Sequence, residues 1–201
     1  MRNEVTMETI MAVAAEYRQL WQEGKAAEAL ETLNRCTALQ VDYYAARGNY
    51  QKCLFLLERP QRIPKMLEWW ERIADDAKHE LFEWVFCDSE GAFEEIPDEV
   101  LADVARLRPT LPKKITRVLE GKRIYRGSVL ELGTPEQALS WTIDKKVAAY
   151  FANRWSKIKD GTPVIWSARI TPEDVVAHIS MRNEAEIVAK RGSVTDIRQE
   201  S

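Results

Sequence analysis

Along the first third of the chain, apolar residues recur every three to four positions. Met7, Ile10, Ala14, Tyr17 and Trp21 form one stripe, closed by Gly24. That is the period of an amphipathic helix ending at a residue suited to a left-handed turn. Ala26, Leu30, Leu33 and Thr37 predict a second helix, and Tyr50, Cys53, Leu54 and Leu57 a third that ends near Pro60. Met66, Trp70, Ile73, Ala77, Leu81 and Trp84 read as one longer stripe. An acidic, turn-rich run, CDSEGAFEEIPDE, follows it. Val100, Val104 and Leu107 then fit a short helix before the breaks at Pro109 and Pro112.

After Gly121 the period changes. RIYRGSVL, PVIWSARI, DVVAHIS and EAEIVAK are short, alternating and rich in β-branched and aromatic residues, which predicts strands. One helix interrupts them, DKKVAAYFANRW, with Val147, Ala148, Phe151 and Trp155 on one face. Helices first and strands afterwards is an α+β order, not a βαβ series. The division expected is a helical extension over residues 1–60 and a second domain over residues 61–201.

Composition narrows the function classes. Apolar residues make up 45% and charged residues 30%, enough to build a core in a water-soluble chain. The formal net charge of -3 argues against general attraction to nucleic acid. It leaves room for a local basic groove, because Lys113, Lys114, Arg117, Lys122, Arg123 and Arg126 cluster, as do Arg154, Lys157 and Lys159. The three cysteines, Cys36, Cys53 and Cys87, lack CxxC spacing, and the two histidines, His79 and His178, lie far apart. Free buried thiols in a reducing compartment are expected, and no zinc site. The opening MRNEVTMETI lacks the basic-then-apolar order of a cleavable signal, and no apolar run is long enough for a membrane span. The expectation is a cytoplasmic protein with no membrane partner. Neither GxGxxG nor a Walker loop is present.

Three short runs carry candidate chemistry. Ile124-Tyr125-Arg126-Gly127-Ser128 places an arginine inside an apolar strand, where it needs an anionic partner or water. Arginine is suited to gripping phosphate, and Gly127 lets another group come close to the backbone. Ser140-Trp141-Thr142 stands directly before a helix, and Glu184-Ala185-Glu186 enters a strand. Taken singly, each run has a plainer reading. Arg126 fits a strand-edge ion pair, Thr142 or Asp144 a helix N-cap with Trp141 in the core, and the two glutamates a solvated edge.

In this order and in these contexts, the three runs resemble the Arg-Ser-Glu class of ADP-ribosyltransferases. That class includes cholera-type and arginine-specific toxins and the phage transferases. The likeness covers about residues 80–195, including FEWVFCDSE and SWTIDKKVAAYFANRW, with Trp141 where the class usually has the middle Thr of Ser-Thr-Ser. The resemblance implies a split, mainly antiparallel sheet and NAD as co-substrate, without a metal. It implies that Arg126 holds the NAD phosphates, with Gly127 and Thr142 also among the cofactor-binding residues. Ser140 orients Glu186, and Trp141 or Phe151 lines the nicotinamide side. Glu186 supports the ribose as nicotinamide leaves, and Glu184 positions or deprotonates the acceptor. Residues two apart on a regular strand face the same way, so both glutamates are expected in one cleft. The acceptor implied is macromolecular, a protein arginine or an RNA base. The setting implied is an intracellular toxin of a toxin–antitoxin or antiviral system, with the N-terminal helices available to an antitoxin or chaperone. Two alternatives stay open: an NAD glycohydrolase, and a non-catalytic partner-binding protein on a degenerate transferase fold.

Overall fold

The computed structural model describes residues 5–181 and 185–200. The chain forms two compact units, Met1–Ala74 with Asp88–Ala92, and Asp75–Cys87 with Phe93–Ser201.

The first unit is helical. Helix α1 (Met7–Gln22) starts at Thr6, whose hydroxyl caps the Thr9 amide, and Gly24 takes the positive φ of +74° that turns the chain into α2 (Ala26–Ala45). Ile10, Val13 and Cys36 meet between these helices. The buried side of α2 is Ala29, Thr32 and Cys36, whereas Leu30 and Leu33 are 59% and 40% exposed. The expected stripe is therefore out of phase by about one residue, because small side chains at the contact let two helices approach closely. Asn49 caps α3 (Tyr50–Leu56). Pro60 does not end that helix but lies in the first turn of α4 (Arg59–Trp69), where a missing N–H breaks no helical hydrogen bond. Residue 60, the expected end of the helical extension, thus falls inside the first unit.

The long stripe from Met66 to Trp84 is two helices and not one. A 3₁₀ turn, Trp70–Arg72, follows α4, the backbone becomes extended at Ile73 and Ala74, and α5 (Asp75–Asp88) starts afresh with Asp75 and Asp76 in its first turn. Acidic residues there suit the positive end of the helix dipole. Within the first unit, the buried Arg62 pairs with the Asp88 carboxylate and donates to the Asp88, Leu54 and Leu57 carbonyls, each at 3.1 Å.

The second unit carries α6 (Asp98–Leu107), α7 (Lys113–Gly121) and a six-stranded sheet. The helix α7 was not foreseen; its pattern is only Ile115 and Leu119, both buried, one turn after Pro112. The strands are β1 (Ile124–Val129), β2 (Ser140–Thr142), β3 (Pro163–Arg169), β4 (Val175–Ile179), β5 (Glu186–Ala189) and β6 (Thr195–Glu200), and α8 (Lys145–Lys159) lies between β2 and β3 in sequence. Their spatial order is β4-β5-β2-β1-β3-β6, with every adjacent pair antiparallel. This is the α+β class expected. Strands β2 and β1 meet at one opposed pair, Tyr125 and Thr142, so the sheet is two three-stranded halves joined at a narrow waist.

The last strand, β6, lies beyond the expected sheet and has little apolar pattern. A polar chain secures it. Arg123 pairs with Asp196 at 2.6 Å and donates to the Ser167 hydroxyl at 2.8 Å, Ser167 donates to Glu200 at 2.6 Å, and Lys145 pairs with Glu200 at 2.7 Å. Arg123 is thereby committed to the fold and does not line a basic groove.

Helix α8 buries Ala148 and Ala152, while Trp155 is 37% exposed, so its contact face is narrower than the expected stripe. Its start is set by Asp144, whose carboxylate accepts from the Lys146 amide at 2.8 Å. Asp144→Ala should therefore cost about 1 kcal/mol of stability, seen as a lower urea midpoint with an unchanged slope. Among the described residues no helix is long and apolar enough to cross a membrane.

Candidate active site

The register of the sheet places several side chains in one row. Directly opposed residues of an antiparallel pair lie on the same face. Ile179 opposes Glu186, Glu186 opposes Thr142, Thr142 opposes Tyr125, and Tyr125 opposes Ser167. Ser140, two residues before Thr142, shares that face. Trp141 and Ile187 oppose each other on the reverse face and are buried in the main core with Leu111, Ile115, Ile124 and Trp166.

Three of the expected residues converge at the waist of the sheet. The Ser140 hydroxyl donates to the Glu186 carboxylate in a short hydrogen bond. Arg126 Nη1 donates to the Ser140 carbonyl at 2.7 Å. Burial pulls the Arg126 guanidinium below its ordinary pKa, and the negative charge of Glu186 opposes that shift. An arginine in such a place remains protonated. The group thus comprises a fixed cation, a fixed carboxylate and a hydroxyl that sets the carboxylate's orientation, drawn from β1, β2 and β5.

Gly127 has a structural task. A Cβ built there would stand 1.9 Å from the Ala148 carbonyl oxygen and 2.4 Å from the Ala152 amide. The close approach foreseen at Gly127 is therefore made by the backbone of α8, which occupies that space.

Thr142 is buried, and its hydroxyl accepts from the Asp144 amide at 3.1 Å. It helps to form the turn into α8 while lying beside Glu186 in the row. Phe151 is half-buried on α8, against the edge of the Tyr150 ring.

Trp141 requires a correction. It is only 2% exposed, and its indole N–H donates to the Ala138 carbonyl at 2.9 Å. Strand alternation turns it away from Ser140 and Glu186, so it is a core residue and not a wall of the pocket. Trp141→Phe should lower stability by about 1–3 kcal/mol through the lost hydrogen bond and lost volume.

Glu184 lies outside the described residues, as do Arg182 and Asn183. Strand β5 begins at Glu186, and Ala185 has a φ of +45°. Left-handed backbone at a non-glycine residue carries a cost, and such residues are enriched at functional sites. The Ala185 carbonyl accepts from the Ile143 amide at 3.3 Å, which ties this irregular residue to the end of β2.

Tyr125 was not singled out from the sequence, yet it adjoins Thr142 on the face that bears Glu186. Strand alternation beginning from Ser140 and Glu186 would have found it once β1 and β2 were known to be neighbours. His178 is half-buried on β4, where burial pushes its pKa down and Glu83 counteracts this. Cys36 and Cys53 are buried and Cys87 is half-buried, with no disulfide among the three. Among the described residues no group of three or more His, Cys, Asp or Glu is arranged to hold a metal ion.

No family model matches the chain, and no curated protein or solved structure matches it.

Proposed function

We propose that the chain is a mono-ADP-ribosyltransferase that cleaves NAD at Arg126, Ser140 and Glu186. The observation that carries this reading is the Ser140–Glu186 hydrogen bond with the Arg126 guanidinium beside it. These are the three residues that the resemblance selects. In the proposed reaction the bond between the ribose C1′ and the nicotinamide nitrogen breaks, and its electron pair leaves with nicotinamide. Positive charge then develops on the ribose. A carboxylate already oriented by Ser140 stabilises that charge without reorganising, the situation in which electrostatic help is largest. Arg126 supplies the counter-charge for the diphosphate. A nucleophile of the acceptor forms the new bond to C1′ and gives up its proton, a task the resemblance gives to Glu184.

The acceptor proposed is macromolecular, a protein arginine or an RNA base, and the biological setting proposed is a toxin acting inside its own cell. The test is incubation of the purified chain with NAD labelled in its adenylate part and a cell lysate, followed by separate protease and nuclease digestion. Label released by one digestion and not the other identifies the acceptor class. Nicotinamide release with no labelled macromolecule would replace transfer by hydrolysis.

A further inference from the structure

The hairpin of α1 and α2 has two unlike sides. Glu16 of α1 and Arg35 of α2 form an ion pair across one of them. At about 100° per residue, each stands roughly half a turn round its helix from an apolar stripe. The stripe of α1 is Met7, Met11, Ala14, Arg18 and Trp21, and that of α2 is Ala26, Leu30, Leu33 and Thr37. The two stripes therefore share the other side of the hairpin.

Most of that side is uncovered. Met7, Met11, Trp21, Leu30 and Leu33 are all exposed, Trp21 most of all at 63%. Together they show roughly 550 Å² of largely apolar surface, at the top of the range for the largest patch on a monomer. Cover is present only farther along α2. There Tyr44, on the same stripe, lies under Lys52 of α3, whose Nζ is 5.0 Å from the ring centroid. Arg18 is the one charged residue in the two stripes, and its Nε donates back to the Ala14 carbonyl at 3.2 Å.

We infer that this side is a dimer interface, in which α1 and α2 of one copy of the chain pack on α1 and α2 of a second copy. A two-fold axis through the contact would make the four helices a bundle. Charge selects the occupant. A charged partner would find a single arginine to pair with, whereas an uncharged face complements itself. The area agrees. A stable interface takes about 800 Å² from each partner, and about 65% of a homodimer interface is apolar. That share is close to the apolar surface exposed here. The composition agrees as well, since methionine, tryptophan and arginine are enriched at protein interfaces.

The test is sedimentation equilibrium of the full chain. The wild-type chain should sediment as a dimer, at twice its 23.2 kDa, with a Kd of about 1 µM or below. Leu30→Glu should raise that Kd about thirtyfold or more, as expected when a central anchor is lost. Met11→Glu, on the other helix, should do the same. Both positions are exposed in the single chain, so helical circular dichroism should stay unchanged. Ala12→Glu adds the same charge on the Glu16 side of α1 and should leave the dimer intact. A wild-type chain that remains monomeric at about 100 µM would overturn the proposal and leave this face to a different protein. A dimer that survives both Leu30→Glu and Met11→Glu would also overturn it, as would equal dissociation by Ala12→Glu.

Discussion

Glu186→Gln is expected to slow nicotinamide release from NAD a hundred- to a thousandfold while leaving the fold intact. The substitution keeps the size of the side chain and keeps an oxygen to accept from the Ser140 hydroxyl. What it removes is the negative charge. Losing a preorganised group that stabilises developing charge typically costs about 3–4 kcal/mol in the barrier. Stability should change much less, by about 1 kcal/mol, since a neutral hydrogen bond replaces a charge-assisted one. Nicotinamide release assayed by chromatography, alongside a thermal melt, checks both halves. A variant of full activity would remove Glu186 from the chemistry. A variant that melts far earlier would make Glu186 a structural residue.

Gly127→Ala is expected to destabilise the second unit by about 3 kcal/mol or more, the upper end of the range for overpacked sites. The reason is the identity of the obstacles. The added methyl would meet the Ala148 carbonyl and the Ala152 amide, both backbone, at 1.9 and 2.4 Å. A flexible side chain could swing aside, but a helix backbone moves only if α8 lifts off β1. Whole domains are stable by only about 5–15 kcal/mol, so such a loss is large. Gly121→Ala is the control, because nothing lies within 4 Å of its Cβ position. Urea unfolding should show a large fall in midpoint for the first variant and almost none for the second. Equal midpoints would contradict the close seating of α8.

Much of this architecture is legible in the chain because strands and helices leave different periods. The change after Gly121 marks where the sheet begins, and RIYRGSVL and PVIWSARI read as strands β1 and β3. Helix α7 has an apolar pattern of only two residues, Ile115 and Leu119, and β6 has almost none. Strand β6 is secured by Arg123, Ser167 and Glu200 across long sequence separations, which no local pattern records. The stripe from Met66 to Trp84 kept a helical period across a break, because Ile73 is buried both in a helix pattern and in the extended link that replaces it.

The site divides in the same way. Arg126, Ser140 and Glu186 were named from motif order, and the sheet brings them together. The resemblance, carried over by position, puts Trp141 on the nicotinamide side, whereas alternation in β2 sends it to the opposite face from Ser140, the core position that the residues alone allow. Gly127 was rightly read as a point of close approach, but the sequence does not say what approaches.

The most direct measurement is the fate of NAD incubated with the purified chain alone and with lysate, following nicotinamide and the adenylate part separately. The account predicts that nicotinamide appears in step with adenylate label joined to a macromolecule. It also predicts that both signals fall together, a hundredfold or more, in Glu186→Gln. NAD that stays intact with the wild-type chain under both conditions would contradict the account.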